Sequence, residues 1–287
     1  MKKFVILFLC MLSMTSYAQE LPPNFSALLN NIEPKLIGWR QHFHEFPELS
    51  NREFNTGKYI ADYLKSIGLE VQYPIAKTGV VAILKGGKPG PAVGLRADID
   101  ALPIVERVNI PFASKVKGEY NGQPVGVMHA CGHDAHTAIL MATATALQKM
   151  QKEVPGTVVF LFQPAEEGAP NNEEGGAPLM IKEGAMDHPK LESVYGLHMA
   201  ASMPVGMIAY KAGADHVIES NWTTAAEDFS FYGEKAPTFF FSLGGMQKGK
   251  KANEVGGHHT PDFYLDESGF ILGVKAFCNL VFDNAIK

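Results

Sequence analysis

The segment Val127–Ala138, VMHACGHDAHTA, places three histidines, one cysteine and one aspartate within twelve residues. Cys131 and His133 are separated by one glycine, so in an extended turn their side chains would point the same way and could reach one metal ion. Gly132 would let the backbone bend around that ion. A hydrogen-bonded polar turn explains the segment about equally well, so the decision rests on partners elsewhere in the chain.

Two adjacent carboxylates, Glu166 and Glu167, follow an apolar run at residues 158–162. Neighbouring carboxylates at the end of a buried strand repel each other unless a cation or a shared proton holds them. Because successive side chains on a strand point to opposite sides, one carboxylate could bind a metal while the other faces a substrate. The alternative is a solvent-exposed loop pair, which the apolar residues upstream disfavour.

Other candidate groups also follow strand-like segments. Asp98 and Asp100 end the run VGLRADID, and His198 ends the run VYGLH. Ligands of open α/β sheets gather beyond the carboxyl ends of the strands, so these groups are expected to converge with Glu166 and Glu167. The remaining histidines considered as surface or capping residues are His42, His44, His188 and His216.

The elements that must position these groups alternate between strand-like and helical patterns. This alternation predicts an α/β fold with a mixed, largely parallel sheet and helices on both faces. The predicted helices cover residues 24–46, 54–67, 134–151, 176–183 and 267–282, and the predicted strands lie within residues 70–86, 92–100, 156–168, 193–200 and 238–245.

Length and charge limit the classes of function. The chain has 287 residues and a formal net charge of −5 at pH 7, which suits one large α/β domain or two modest ones. A nucleic-acid surface would need clustered Lys and Arg. The longest basic run is KGKK at Lys248–Lys251, within a glycine-rich loop. Nucleic-acid binding is therefore not expected.

Residues 1–18 have the pattern of a signal peptide. A basic start, MKK, precedes an apolar run from Phe4 to Met14 and small residues before Gln19. We expect an exported protein, periplasmic or secreted, without membrane attachment after removal of the leader. Cys131 and Cys278 would then remain and could pair, although Cys131 lies in a ligand-like loop and Cys278 on an apolar helical face.

Seven motifs, in order, resemble those of the M20 metallopeptidase family. The resemblance is to its amidohydrolase branch, which includes hippurate hydrolase, N-acyl-amino-acid amidohydrolases and auxin-conjugate hydrolases. It runs from about residue 36 to the end of the chain, through RQHFHEFPELSNRE, LRADIDALP, MHACGHDAHT, FLFQPAEEG, YGLHMAASMPVG, AAEDFSFY and HTPDFYLDE.

This resemblance implies a zinc-exopeptidase-like catalytic domain with two divalent ions, manganese or zinc, with cobalt and nickel as alternatives. Glu166 matches the general base of the family and Asp100 its supporting acidic residue. Of the neighbours His258 and His259, the second fits because the family's ligand precedes a small residue and then proline; His258 is the fallback. His136 matches a recurrent residue without a ligand role. The implied metal ligands are Cys131, His133, Glu167, His198 and His259.

The implied reaction is hydrolysis of the amide bond of N-acyl amino acids, of the hippurate or N-acetyl type, by metal-activated water with Glu166 as the base. One alternative is an exopeptidase that acts on dipeptides or other small peptides. A second alternative is a metal-binding remnant with little or no turnover.

The second alternative arises because the family usually carries a smaller lid domain inserted after the PVG strand. Here only about ten residues separate Ala214 from the AAEDFSFY motif, whereas an independently folded domain needs roughly fifty. We therefore expect no lid. The catalytic domain, residues 19–287, would consist of halves 19–214 and 225–287 joined by a short connector, and a monomer would replace the family's lid-mediated dimer.

Overall fold

The structure is a computed structural model that describes residues 21–210 and 227–284. The predicted signal peptide and the connector where a lid would be inserted lie outside these residues. Among the helices of the described part, none combines the length and the apolar character that a membrane span requires.

A seven-stranded sheet lies at the centre of the fold. The strands are β1 (Glu70–Ile75), β2 (Gly79–Lys85), β3 (Lys88–Asp98), β4 (Lys117–Tyr120), β5 (Gln123–Gly126), β6 (Pro155–Gln163), β7 (Ser193–Pro204), β8 (Ile208–Tyr210) and β9 (Thr238–Met246). The central sheet has the order β1-β2-β6-β3-β7-β9-β8, and β4 and β5 form a separate hairpin. Strands β6, β3, β7 and β9 are parallel, whereas β1, β2 and β8 run antiparallel to their neighbours. The prediction of a mixed, largely parallel sheet is confirmed.

Helices cover both faces of this sheet. They are α1 (Phe25–Glu45), α2 (Phe54–Ser66), α3 (His133–Lys149), α4 (Gly176–Lys182) and α5 (Phe270–Asp283). Strand β6 shows why two layers form: Val158 and Phe160 belong to the core cluster shared with α1, α2, α3 and α5. Val159 and Leu161 belong to the opposite cluster with α4. A strand that is apolar on both sides needs a helical layer on each.

The two cysteines of the described residues are both free and buried. Cys278 is fully enclosed in the apolar cluster with α5, which fits its prediction as a small buried hydrophobic residue. The disulfide considered from the sequence is therefore not formed, and Cys131 keeps a thiol for other chemistry.

Candidate metal centre

Cys131 and His133 lie at the N-terminus of α3, so the prediction of an extended turn was wrong. His133 is the first residue of the helix, and Gly132 precedes it with φ of 106°. This left-handed conformation favours glycine, and a Cβ on Gly132 would lie 3.0 Å from the Cβ of Met199. The tight turn still directs thiol and imidazole to one place, where donor atoms of Cys131, His133 and His198 lie within 4.8 Å of one another.

The imidazole of His133 is held by one nitrogen only. Its Nδ1–H donates to the backbone oxygen of Asp100 over 2.8 Å. Its Nε2 is buried without a hydrogen-bond partner, 3.6 Å from a carboxylate oxygen of Glu166 and 3.8 Å from one of Glu167. Buried polar atoms are almost always satisfied, and a metal ligand typically uses its second ring nitrogen to fix the ring. The arrangement therefore fits a cation on Nε2.

The sequence suggested that His198 ends its strand, but it lies within β7. Pairing with β9 continues past His198 to Pro204, which extends the strand. The Nδ1–H of His198 donates to the backbone oxygen of Met199 over 2.7 Å. This bond leaves Nε2 unprotonated, so that it can accept from the thiol of Cys131 over 3.4 Å or bind a cation at the shared site.

Asp100 connects the two halves of the cluster. Besides the backbone bond to His133, its Oδ2 accepts from the backbone N–H of Glu167 over 3.0 Å and from the hydroxyl of Ser50 over 2.8 Å. These contacts orient one imidazole and one carboxylate. They give Asp100 a positioning part in the site, and its assignment as a supporting acidic residue stays a prediction.

The structure distinguishes the neighbours His258 and His259. The Nε2 of His259 lies 3.2 Å from the thiol of Cys131 and 3.1 Å from a carboxylate oxygen of Glu167. In contrast, the Nε2 of His258 accepts from the backbone N–H of Ala201 over 3.2 Å, and its Nδ1 is 3.8 Å from Cys131. His259 is thus the neighbour whose nitrogen is directed at both other donors.

The predicted residues form overlapping donor groups. Within each group the donor atoms lie within 4.8 Å of one another. The groups are Cys131–His133–His198, Cys131–Glu167–His259 and His133–Glu166–Glu167. Because thiol, imidazole and carboxylate suit borderline ions such as zinc, and because two groups share Cys131, the donor set fits a pair of adjacent divalent cations.

Burial disfavours negative charge on the donors of this cluster. Burial raises the pKa of Cys131 to about 12, and it raises the pKa of Glu166 to about 9 although His133 opposes the shift. Without a countercharge the protein therefore favours the protonated thiol and carboxyl. A divalent ion reverses this preference, because metal ligands must be deprotonated to bind and the ion supplies the compensating charge.

Asp98 and His136 form a buried hydrogen-bonded pair at the site that the sequence did not reveal. Asp98 Oδ1 accepts from Nδ1–H of His136 over 2.6 Å, and Asp98 Oδ2 accepts from the buried Arg96 over 2.6 Å. The Nε2 of His136 accepts from the backbone N–H of Met199 over 2.8 Å. Both nitrogens of His136 are therefore engaged, although a donor atom of His136 also lies within 4.8 Å of donor atoms of Asp98 and His133; the absence of a ligand role stays a prediction.

The sequence suggested that His44 is a surface or capping residue. That prediction was wrong, because His44 is buried beside the site. Its Nδ1 lies 2.7 Å from Asp134 Oδ2, and its Nε2 lies 3.1 Å from Glu106. Asp134 also contacts Arg40 over 3.1 Å and accepts from the backbone N–H of Ala135. Since Asp134 follows His133 directly, this network ties α1 to the turn that carries the candidate ligands.

The ionisation of this network follows from its contacts. Burial disfavours the charge of Asp134, but Arg40 and His44 outweigh that effect and lower its pKa. Burial also opposes the charge of His44, yet hydrogen bonds to Asp134 and Glu106 raise its pKa. The favoured state is a buried aspartate between two cations.

Replacing Asp134 with asparagine is expected to lower the free energy of unfolding by about 3–5 kcal/mol, because Arg40 and His44 would lose the fully buried countercharge that they share and would keep only Glu267 and Glu106 as partners. The contribution of Asp134 is present above about pH 4 and is lost as pH falls through its lowered pKa. The contribution of His44 is present below about pH 6.5 and is lost as pH rises through its raised pKa. The loss of unfolding free energy in Asp134→Asn is therefore largest between about pH 4 and pH 6.5. Urea unfolding of wild type and variant at several pH values from about 4 to about 9 measures it.

The matched control is Asp62→Asn, which removes the exposed partner of Lys58 and is expected to change unfolding little, since surface ion pairs contribute little. An Asp134 variant as stable as this control at every pH would contradict the prediction.

Comparison with known proteins agrees with this geometry. Residues 94–213 match the family described as Peptidase family M20/M25/M40. Over these residues the chain matches the M20 family. His259 lies beyond the matched region. The other predicted site residues lie within it: Asp100, Cys131, His133, Glu166, Glu167 and His198. The inclusion of His259 therefore rests on its position beside Cys131 and Glu167.

The chain is also similar to named proteins, over only part of their length. N-acetyl-L-cysteine deacetylase of Bacillus subtilis (strain 168) is 43% identical over 185 residues, which are 64% of this chain and 41% of that protein. Thermostable carboxypeptidase 1 of Saccharolobus solfataricus is 42% identical over 186 residues, 64% of this chain and 44% of that protein. The chain thus spans less than half the length of these relatives.

A solved structure supports the fold and the kind of site. The YXEP protein of Bacillus subtilis, described as a dinuclear metal binding peptidase from the M20 family, superposes with a TM-score of 0.72 and 25% identity. The match covers 88% of this chain and 98% of that chain. The family match and the donor groups together support divalent metal binding here.

Proposed function

We propose that the chain is a metal-dependent amidohydrolase that converts an N-acyl amino acid into a carboxylic acid and a free amino acid. The observation that carries this proposal is the position of Glu166. Its carboxylate lies 3.6 Å from the unpartnered Nε2 of His133, within donor groups joined through Cys131. A carboxylate so placed can serve a reacting water while other side chains hold the metal.

Cys131, His133, Glu167, His198 and His259 would hold two ions, manganese or zinc, with cobalt and nickel as alternatives. Divalent ions supply Lewis acidity and stabilise developing negative charge when bound. Glu166 takes the proton of the attacking water and delivers it to the nitrogen of the departing amine. Without a bound cation, burial raises the pKa of Glu166 to about 9, so the charge of the divalent ions would be needed to keep this carboxylate deprotonated and able to accept the proton.

The names of related proteins support the substrate class. One is an N-acetyl-L-cysteine deacetylase and another a thermostable carboxypeptidase, so both N-acyl amino acids and short peptides belong among the candidates. We place N-acyl amino acids first because the seven sequence motifs resemble the amidohydrolase branch, and we keep small-peptide exopeptidase activity as the second candidate.

The organisation of the whole protein is part of the proposal. We propose that residues 1–18 are a signal peptide and that the mature chain is exported. We propose also that the two halves, 19–214 and 225–287, form one catalytic domain without a lid and act as a monomer, because the connector is about ten residues long. A form without a lid would exclude water poorly, which favours low turnover.

Metal binding is the first test of this function. After loading with zinc or manganese and desalting, the mature protein is expected to retain about two ions per chain by elemental analysis. Cys131→Ala should lose ions because two donor groups share this thiol. Cys278→Ala should retain both, since Cys278 is equally buried but lies in the apolar core. A folded wild-type protein that retains no ion would overturn the proposal.

A substrate panel tests the reaction itself. Hippurate, several N-acetyl amino acids and dipeptides are incubated with metal-loaded protein and with chelator-treated protein. The proposal expects chelator-sensitive release of amino acid from the N-acyl substrates. Cleavage of dipeptides alone would favour the exopeptidase, and a metal-loaded protein inert towards every substrate would favour the remnant.

A further inference from the structure

Glu53 is a buried carboxyl group for which the proposed mechanism has no use. It directly precedes α2, and its side chain has no exposure to solvent. Its Oε1 accepts from the backbone N–H of Ala165 over 2.9 Å, and its Oε2 lies 2.6 Å from the hydroxyl of Thr78. Burial of a carboxyl group is costly unless its hydrogen bonds are satisfied, so these two contacts define what Glu53 can do.

The residue that Glu53 contacts has an unusual backbone conformation. Ala165 has φ of 53°, in the left-handed region that residues with a Cβ rarely occupy. It immediately precedes Glu166 and Glu167, so its backbone angles set the direction in which the chain presents both carboxylates. Such a conformation persists only when the surroundings fix it, and the bond from Glu53 is directed at the strained peptide itself.

The loop is fixed again two residues later. The backbone N–H of Glu167 donates to Asp100 Oδ2, and the same oxygen accepts from the hydroxyl of Ser50. Ser50 and Glu53 belong to one short segment ahead of α2, which also pairs with Ala101 through Leu49. One segment of the chain therefore holds the carboxylate pair by its backbone on both sides, directly at Ala165 and through Asp100 at Glu167.

We propose that Glu53 is a positioning residue that fixes the left-handed backbone of Ala165 and thereby directs Glu166 and Glu167 at the metal-ligand cluster. Glu53 touches no donor of the cluster, so it acts through Ala165 alone. The inference rests on the proposed function, because it assumes that Glu167 binds a metal ion and that Glu166 faces the substrate.

The test compares metal affinity in three variants of Glu53, measured by competition with a zinc chelator. Glu53→Ala and Glu53→Asp are expected to bind zinc about 10- to 100-fold more weakly than wild type, the usual loss when a group that supports a ligand is removed. The aspartate keeps the carboxyl group but is too short to reach Ala165. Glu53→Gln should stay close to wild type, since its amide oxygen can accept from Ala165 and its amide N–H can donate to Thr78.

A double variant separates positioning from a merely structural role. Glycine adopts the left-handed region at little cost, so Ala165→Gly in the Glu53→Asp background should recover part of the lost affinity. If Glu53 only stabilised the fold, the thermal midpoint of the metal-free protein would fall in Glu53→Asp while zinc affinity stayed unchanged, and the glycine would restore nothing.

The matched control is Glu183→Ala. Glu183 also accepts from the backbone N–H of an alanine with positive φ, Ala76, but it contacts no residue of the cluster loops, so zinc affinity should not change. Unchanged affinity in Glu53→Asp, or a Glu53→Gln protein as weak as the aspartate variant, would overturn the inference. Failure of wild-type protein to bind zinc would instead overturn the proposed function, and the inference with it.

Discussion

Replacing Glu166 with glutamine is expected to lower the turnover of N-acyl amino acids by at least about a hundredfold while both metal ions stay bound. The amide keeps the size of the side chain but cannot accept the proton of water, and a positioned general base contributes about 10²- to 10⁴-fold. Its carboxylate belongs to a donor group with His133 and Glu167, but the other two groups do not need it. Turnover at saturating substrate and elemental analysis measure the two effects.

The adjacent Glu167→Gln is the matched control, and it should show the opposite order of effects. Glu167 lies within reach of both Cys131 and His259, so its loss should first lower metal affinity, and excess metal should restore part of the activity. Excess metal should do nothing for Glu166→Gln. A Glu166→Gln protein with wild-type turnover would remove this residue from the proton transfer.

The pair of carboxylates was predictable because its signal is local. An apolar strand buried on both faces has to end at the edge of the sheet, and charged residues directly after it must lie at that edge. β6 ends at Gln163, three residues before Glu166, and parallel β3 ends at Asp98 beside it. Strand length and polarity alone therefore place the acidic groups together.

His198 and Gly132 show where this kind of prediction stops. The strand of His198 extends to Pro204 because β9 continues to pair with it, and a strand's partner is not written in its own residues. Gly132 was correctly predicted to let the chain bend. Its φ of 106° and the start of α3 at His133 could not be predicted, because they depend on how the helix packs against β7.

The hairpin of β4 and β5 was missed although its signal is present in the sequence. Asn121 and Gly122 connect the two strands, both with positive φ, 50° and 78°. Asn-Gly between short polar strands is the strongest local sign of a two-residue hairpin turn. The strands are four residues each and weakly apolar, which hides them from a search for buried runs.

The buried network around Asp134 could not be predicted from local pattern. Arg40 and His44 are four residues apart and share one face of α1, but polar residues at that spacing usually face solvent. Their partner Asp134 is 90 positions away from His44, and only the packing of α1 on α3 brings the charges together. Such long-range compensation is the reason that three buried ionisable groups are tolerated beside the site.

The neighbours His258 and His259 provide the second large expected effect. Replacing His259 with alanine is expected to weaken the binding of one metal ion by about a hundredfold or more and to lower hydrolysis in proportion. Its Nε2 contacts the donor atoms of both Cys131 and Glu167. Its side chain is 51% exposed, so the substitution removes a ligand without leaving a cavity in the core. Titration of the metal-free protein with zinc measures the loss.

His258→Ala is the control, because it removes the same ring one residue earlier. The Nε2 of His258 is already occupied by the backbone N–H of Ala201, and its Nδ1 is farther from Cys131 than the nitrogen of His259. This variant should therefore keep two ions, although the packing of its ring on Phe263 predicts some loss of thermal stability. The reverse result, with ions lost from His258→Ala and retained in His259→Ala, would assign the ligand to His258 and require a different ring orientation in the metal-bound protein.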